Sequence, residues 1–468
     1  MNYIVLIATL LGSIYTANPD SASIKTADTS LPRIDSLPAP VNACDYYSIG
    51  KIFSQHGKYD IALKYYNQAI ELDSQNASYY VGRGYAYLEC NDYNLAIADG
   101  NQAVILKSDI FSAYRLLGYA YNDIGNLDSS RFYFEAALKS LSEYSYANRG
   151  LALTNLKRYE LAINNFDQAI SNNAWNPRLF VDRGIAYYYL KKYTLAIEDF
   201  STAISLNPNL CKAYIWRGRA YKRMKNYIYA WNDFDKAVKL QPENANCYSE
   251  RGQICQLKKL YEESIADHTK AISLNSSKSL FYLDRADSYD KFGDYQLALA
   301  DYNRAIEIKP DNAVSYNRRG AFFLIWGHYE LSIKDFNQAL DLKSEYISVL
   351  QKRAVAYYCV GDYPNSIKDC DRIIEVIKDG KNAIYHGSWA LKYICQGKYG
   401  KAVKEYSKAI KKDPDWAGAY DRRGDAYNKL GKRDKAVADW TKANQLNHHY
   451  PLTSEARIAI GITVIDKP

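Results

Sequence analysis

The sequence predicts an all-α protein, a solenoid of antiparallel helix pairs. Three observations carry that prediction: a period of 34 residues, small residues at fixed places within it, and turn chemistry between two amphipathic segments. The period is plainest in Pro177 to Pro208, PRLFVDRGIAYYYLKKYTLAIEDFSTAISLNP. Phe180, Gly184 and Tyr187 fall at i, i+4 and i+7 and share one helical face, as do Ala196, Phe200 and Ala203 in the second half. Leu190 to Tyr193 makes the reversal. Asn207-Pro208 ends the second segment, because proline neither donates nor fits in a helix interior.

Stepping from Gly184 finds Gly150, Gly118, Gly84 and Gly50 upstream, and Gly218, Gly252, Ala286, Gly320, Ala354, Ala390 and Gly424 downstream. The step is 34 residues except for 32 between Gly118 and Gly150 and 36 between Ala354 and Ala390, so twelve units fill residues 43 to 446. Twelve residues after each of these positions stands Ala or Ser, from Ala62 through Ser264 to Ala436. Glycine in a helix interior costs about 1 kcal/mol against Ala. Close approach of the paired helix offsets that cost. Counting this small residue as position eight, position fifteen holds Gly57, Gly125, Gly293, Gly327, Gly361, Gly397 and Gly431, where the first helix is expected to exit through a left-handed residue.

Period, small residues and aromatics together resemble the tetratricopeptide repeat family, whose pattern has Gly or Ala at position eight, an aromatic at eleven, Ala at twenty and twenty-seven, and Pro at thirty-two. Position eleven is Phe or Tyr except at Leu153 and Cys255, and position twenty-seven is Ala except at Ile373. The proline is weaker, standing only at Pro208, Pro242, Pro310 and Pro414. The 35-residue RNA-reading repeats are the nearest alternative; small residues at all three of positions eight, twenty and twenty-seven favour the tetratricopeptide repeat. The resemblance implies a right-handed superhelix whose concave groove, lined by positions two, five, nine, twelve and thirteen, holds an extended peptide or partner helix.

In chain order, residues 3 to 17, YIVLIATLLGSIYTA, form an uncharged apolar run followed by Asn18-Pro19-Asp20. The run is shorter than the roughly 20 residues of a membrane span and is read as a secretory signal (1–17) cut after Ala17, hence an exported protein. A retained anchor and a buried cap helix are the alternatives, since no Lys or Arg precedes the run and Tyr15 is large for its place. Residues 18–42, with Pro32, Pro38 and Pro40, read as a flexible tether. The array follows, residues 43–446. The tail, 447–468, contains SEARIAIGITVI, an alternation that fits a capping strand or a short helix.

Apolar residues make up 48% of the chain and charged residues 24%, as in an ordered soluble protein, and the 46 tyrosines fall mostly at repeat positions four, eleven and seventeen. Cys90, Cys255, Cys359, Cys370 and Cys395 lie within repeat helices without CxxC spacing and are read as small buried hydrophobes. Cys359 and Cys395 sit at equivalent places in successive units, too far apart for a disulfide.

Position seven is Arg in nine units and position twenty-three is acidic in nine, and the two vary together. Arg83 goes with Asp99, Arg183 with Asp199, Arg217 with Asp233, Arg251 with Asp267, Arg285 with Asp301, Arg319 with Asp335, Arg353 with Asp369 and Arg423 with Asp439. Where Arg is missing in units one and three the acid is missing too, giving Ile49 with Tyr65 and Leu117 with Tyr133. This covariation predicts half-buried ion pairs within each unit. Arg149 with Asn165 and Trp389 with Glu405 are imperfect rungs.

Function has to come from what the repeats do not share. Unit six places Lys212, Ile215, Arg219, Lys222 and Arg223 at groove positions, with Arg178, Tyr188 and Tyr189 from unit five beside them. This is a basic, aromatic-flanked patch suited to carboxylates or phosphate. Asp287, Asp290, Asp421 and Asp425 are expected to make the groove change sign along its length. The carboxylate clamp of chaperone-binding relatives needs Lys at position five and Asn at position nine, and neither occurs. His386, Gly387 and Trp389 of unit eleven follow a connection two residues too long, read as a tolerated insertion rather than a bend.

No catalytic centre is expected. The six histidines are dispersed, no HExxH or GxSxG occurs, and Gly431-Lys432 lacks the glycine spacing and hydroxyl of a phosphate loop. His448-His449 has no further ligands for a metal, and no cofactor or small-molecule substrate is implied. Nucleic acid is the rival partner, since a net charge of +8 attracts a phosphate backbone. Acidic residues interrupt the groove, so a protein-binding scaffold is the reading adopted.

Overall fold

The repeat unit folds as written. The computed structural model describes residues 40–55, 57–107, 110–141, 145–378, 380, 382–446 and 454–461, and among them twelve helical hairpins run from Ala43–Gln55 with Tyr59–Leu72 to Ala417–Lys429 with Arg433–Leu446. The apolar segment 1–17, most of the tether, His448 and His449 lie outside the described residues. A short helix, Ser454–Ala459, follows the array, so of the two readings of the tail the helix is what forms; Ala456, Ala459 and Ile460 pack against Trp440 and Ala443. No helix among the described residues is long and apolar enough to cross a membrane.

The reversal inside each hairpin uses the left-handed residue expected at position fifteen, and it does so in every unit. The seven glycines there have φ between 70° and 102°. Where glycine is absent the backbone does not change. Asn91, Lys157, Lys191, Lys225 and Lys259 take φ of 59° to 65° at the same place, a conformation that costs an L-residue about 1–2 kcal/mol.

Position eight is small because a ring covers it. A Cβ on Gly118, Gly150, Gly184 or Gly320 would stand 2.6 to 2.8 Å from the ring of Phe134, Phe166, Phe200 or Phe336, each from position twenty-four of the same hairpin. Hairpin two exchanges the roles: Gly100 stands at position twenty-four, and Leu116 and Leu117 of the next hairpin fill the space. Position twenty is Ala or Ser because it too is enclosed. Ser130, Ser332 and Ser366 donate to the carbonyls of Gly118, Gly320 and Ala354 at 2.8 to 2.9 Å.

The ion pairs form within the hairpin. Arg83, Arg183, Arg217, Arg285, Arg319, Arg353 and Arg423 each donate from Nε and Nη2 to the two carboxylate oxygens of the aspartate sixteen residues on, at 2.6 to 2.9 Å. The third arm, Nη1, reaches back to position twenty-five of the preceding hairpin, as in Arg83 to Asn67, Arg183 to Asp167, Arg319 to Asn303 and Arg423 to Ser407. One guanidinium therefore ties together two helices of its own hairpin and one of its neighbour. Rings at positions four and eleven enclose it; Arg83 lies between Tyr80 and Tyr87 at 5.6 and 5.8 Å from their centroids. Many of the tyrosines serve this purpose.

Burial is the largest influence on Asp99, Asp199 and Asp233, whose carboxyls sit above the ordinary value even beside a guanidinium, whereas Arg83 and Arg183 are raised chiefly by the bonds they donate. The two partners pull in opposite senses. The forked geometry is that of an ionised pair, and the desolvation cost is why such a pair adds little net stability.

The imperfect rungs are replaced rather than left open. Asn165 turns to its own helix and donates to Leu161 O at 2.8 Å. Glu405 takes His386 Nδ1 and Lys408 Nζ, each at 2.7 Å, in place of an arginine. Units one and three substitute ring stacking, Phe53 on Tyr65 and Tyr121 on Tyr133.

The hairpins divide into two compact units, the first running to Leu260 with residues 273–275 and the second comprising 261–272 and 276 onward. In the first unit the connection after hairpin six returns to the turn of hairpin one, where Gln241 Nε2 donates to Gln55 O at 3.0 Å. In the second, one residue of the two-residue insertion lengthens the second helix of hairpin ten to 15 residues, Tyr363–Ile377, which ends on Lys378 at φ 51°, and the other lengthens the connection that follows.

Candidate functional site

In the first unit, the first helices of hairpins five (Pro177–Tyr189) and six (Cys211–Arg223) lie side by side, bringing Tyr188, Tyr189, Arg219 and Arg223 into one cluster and leaving Arg178 and Lys212 at the other end of the pair. Pro177 and the Asn176 side chain, which accepts from the Arg178 amide, start the earlier helix and fix its register. Tyr188 and Tyr189 meet Trp216 edge-on at 5.4 and 6.0 Å, Tyr189 stacks on Tyr159 at 5.2 Å, and Arg219 lies over Trp216 at 4.7 Å. Arg223 Nε donates to Tyr188 Oη at 3.1 Å and Lys212 Nζ to Asp182 at 2.9 Å. Ile215 is half-buried beneath them, against Ala230, Phe234 and Ile254.

The patch is less basic than its sequence. Glu250, on the first helix of hairpin seven (Ala245–Leu257), receives Arg219 Nε at 2.7 Å and Lys222 Nζ at 2.8 Å, and Lys222 also reaches Gln253. Burial works to raise the Glu250 carboxyl, but these two cations hold it below the ordinary carboxylate value. Arg223 is left exposed beside the half-exposed ring of Tyr189, whereas Arg178 and Lys212, also exposed, stand in the first turns of their helices, about 16 Å away along the axis.

The acids expected to face the groove are likewise committed to neighbours. Asp287 accepts from Tyr302 Oη at 2.5 Å and Arg318 Nη1 at 3.0 Å, and Asp290 from Trp326 Nε1 at 2.8 Å. Asp425 accepts from Trp440 Nε1 and Arg422 Nη1, both at 3.2 Å. Asp421 is fully buried, and burial lifts its carboxyl to about 8. The expected change of sign along the groove is weakened accordingly, because Arg318 pairs with Asp287, Arg422 with Asp425, and Asp421 is enclosed.

The second unit contains a cavity of about 520 Å³ on the first-helix faces of hairpins nine to twelve. Val355, Ile373, Leu391, Tyr406 and Trp416 give it an apolar wall. Val355 and Leu391 occupy position nine, a groove position, and Gly387 occupies position five. Gly387 is there because the Trp416 indole lies on it; any Cβ would collide with the ring. Two cations reach the lining. Lys352 Nζ donates to Asn317 Oδ1 at 2.9 Å, and burial draws its ammonium below the ordinary lysine value. Arg422, 5% exposed, lies over Tyr358 and beside Asp425, Asp421 and Cys359 Sγ. Such a space can hold an apolar group together with a negative charge. The sequence carried one signal of it, the glycine at position five, which no other unit has.

All eight cysteines are free thiols; Cys211, Cys247, Cys255 and Cys370 are buried and Cys44 is exposed. Among the described residues no three His, Cys, Asp or Glu side chains are placed to hold a metal ion.

Family models for the TPR or tetratricopeptide repeat match residues 50–89, 111–140, 143–174, 177–210, 212–244, 281–312, 313–346, 390–431 and 417–448, more than half of the chain. The chain belongs to the tetratricopeptide repeat family. Among curated proteins none matches the sequence of this TPR protein. Among solved structures it is similar to yeast Tom70, with 18% identity over 90% of this chain and 94% of that one and a TM-score of 0.42. It is also similar to the APC/C hetero-tetramer Cut9–Hcn1, with 12% identity over 90% of each chain and a TM-score of 0.45. A third likeness is to the human IFIT1 dimer with PPP-AAAA, with 13% identity over 79% and 90% of the two chains and a TM-score of 0.46. These are likenesses of fold. The TPR array is the architecture of a protein-interaction scaffold.

Proposed function

We propose that this TPR protein is a non-enzymatic scaffold that holds an extended segment of a partner protein along its first-helix face, with an acidic stretch of the partner meeting hairpins five and six. The supporting observation is the aromatic cluster of Tyr159, Tyr188, Tyr189 and Trp216, with Tyr189 49% exposed, the exposed guanidinium of Arg223 at its edge, and a second exposed guanidinium, Arg178, at the other end of the same helix. Rings give contact area at low entropic cost, and guanidiniums bind carboxylates in a forked geometry. Lys212, Arg219 and Lys222 shape this surface through Asp182 and Glu250 instead of presenting free charge.

Capture of partner from the source cells by the full array, compared with an Arg178→Glu/Arg223→Glu variant, tests the reading. Loss of a protein partner in the variant is expected. Equal, salt-sensitive binding of generic single-stranded RNA by both forms would replace the protein reading with a nucleic-acid one. The export of the chain by its apolar N-terminal segment belongs to the same proposal, and a mature N-terminus at Asn18 in the cell-free fraction is the expected result.

A further inference from the structure

The cavity of the second unit has no part in that reading, and its chemistry is different. Its wall is hydrocarbon and indole: Val355, Ile373, Leu391 and Trp416. Trp416 stands at the start of its helix, where Asn76, Asn176, Asn244, Asn312 and Asn382 each accept a hydrogen bond from a backbone amide, and it makes no such cap. Leu210, Lys278 and Tyr346 also leave the cap unmade, but it is Trp416 whose ring lies on the position-five glycine of the preceding hairpin. At about 520 Å³ the space is the size of a small-molecule site.

Its charges are not balanced. Asp425 and Asp421 face Arg422 at 3.2 and 3.6 Å. Lys352 has a neutral carboxamide, Asn317 Oδ1, as its hydrogen-bond partner. The carboxylate that acts on Lys352 through space, Asp287, is already bonded to Arg318 and Tyr302, and Arg318 works against the lysine charge. A half-buried cation whose hydrogen bond goes to a neutral amide, and whose nearest carboxylate is taken by another cation, favours an anion beside it. Asp413 and Asp415, also in the lining, lie exposed on the connection at the rim and would repel a second negative group there. One carboxylate inside and no charge at the mouth is the complementary pattern.

We propose that this cavity binds a small apolar monocarboxylate of the fatty-acid class, its carboxylate on Lys352 and its hydrocarbon against Val355, Leu391 and Trp416. The test is fluorescence titration of the full chain with a dansyl-labelled undecanoate, followed by competition with dodecanoate, dodecylamine and a leucine-terminated hexapeptide. Saturable binding, displacement by dodecanoate and not by dodecylamine, and about tenfold or greater weakening in Lys352→Met with retention in Lys352→Arg are expected. Leu391→Trp, which fills the cavity, removes binding while circular dichroism and partner capture by hairpins five and six remain those of the parent. Absence of saturable binding, or equal displacement by the amine, overturns the proposal. Displacement by the peptide and not by dodecanoate also overturns it, making the occupant a protein C-terminus.

Discussion

Asp233→Ala is predicted to damage the array more than the double change Arg217→Leu/Asp233→Tyr. Asp233 accepts two of the Arg217 bonds, at 2.9 and 2.8 Å, and the third goes to Ser201 Oγ at 3.0 Å. Removing the carboxylate leaves a guanidinium whose side chain is only 20% exposed with a single hydroxyl partner. Breaking a buried pair in this way costs about 3–5 kcal/mol, and the remaining exposure and the Ser201 bond place this case near about 3. The double change copies hairpins one and three, where Ile49 and Leu117 are buried and the ring of Tyr65 or Tyr133 is stacked. It forfeits mainly the link to Ser201, about 1 kcal/mol. Because an array's stability is a sum of local terms, a single global midpoint is a poor reporter. Amide hydrogen exchange in residues 211–240 is the suitable assay. About 3 kcal/mol corresponds to roughly a hundredfold faster exchange there for the single change, against about fivefold for the double. Equal acceleration in both would show that Arg217 and Asp233 do not act as a pair.

The reversal residues give a prediction of opposite sign. Lys191→Gly and Lys225→Gly relieve φ of 61° and 59° and are expected to stabilise their hairpins by about 1 kcal/mol each, read as slower local exchange. Gly184→Ala places a methyl 2.6 Å from the Phe200 ring and is expected to cost about 1–3 kcal/mol, with partial recovery on adding Phe200→Leu. Asp421 supplies a pH dependence. Its folded value, raised to about 8 by burial, exceeds the unfolded value of about 3.9, so its contribution is complete at acid pH and is lost as pH rises through that window. Asp421→Asn should therefore gain stability relative to the parent between about pH 4 and pH 8, by a few kcal/mol at the upper end, in thermal midpoints measured at both limits.

The sequence determines the hairpin and its seam because those features recur. Gly184 over Phe200 and Arg217 on Asp233 each rest on two positions of one unit, and twelve copies make their covariation visible. The link from Arg217 to Ser201 leaves a weaker mark in the sequence. Position twenty-five accepts a guanidinium arm as Asn, Asp, Ser or Thr alike, so no single residue type marks it. The groove charges follow a related rule. Glu250 and Arg318 stand on hairpins next to Arg219 and Asp287, at positions that vary from unit to unit, so only the folded stack shows that they pair with them. The cavity depends on Trp416 meeting Gly387 across two hairpins, a packing event with no periodic signature. Of the unit-eleven irregularities, the insertion is shared between a helix one residue longer and a connection one residue longer, and Gly387 seats that indole.

The central claim is that partner binding belongs to the variable first-helix face and not to the uniform seam or the outer helices. Site-specific photocrosslinking in the source cells tests this directly, with a benzophenone side chain placed in turn at Tyr189, Arg223 and the half-exposed second-helix residue Thr202, which bonds only to its own helix. Adducts to one protein from Tyr189 and Arg223, and none from Thr202, are predicted. Adducts from Thr202 with none from Tyr189 or Arg223 would contradict the account.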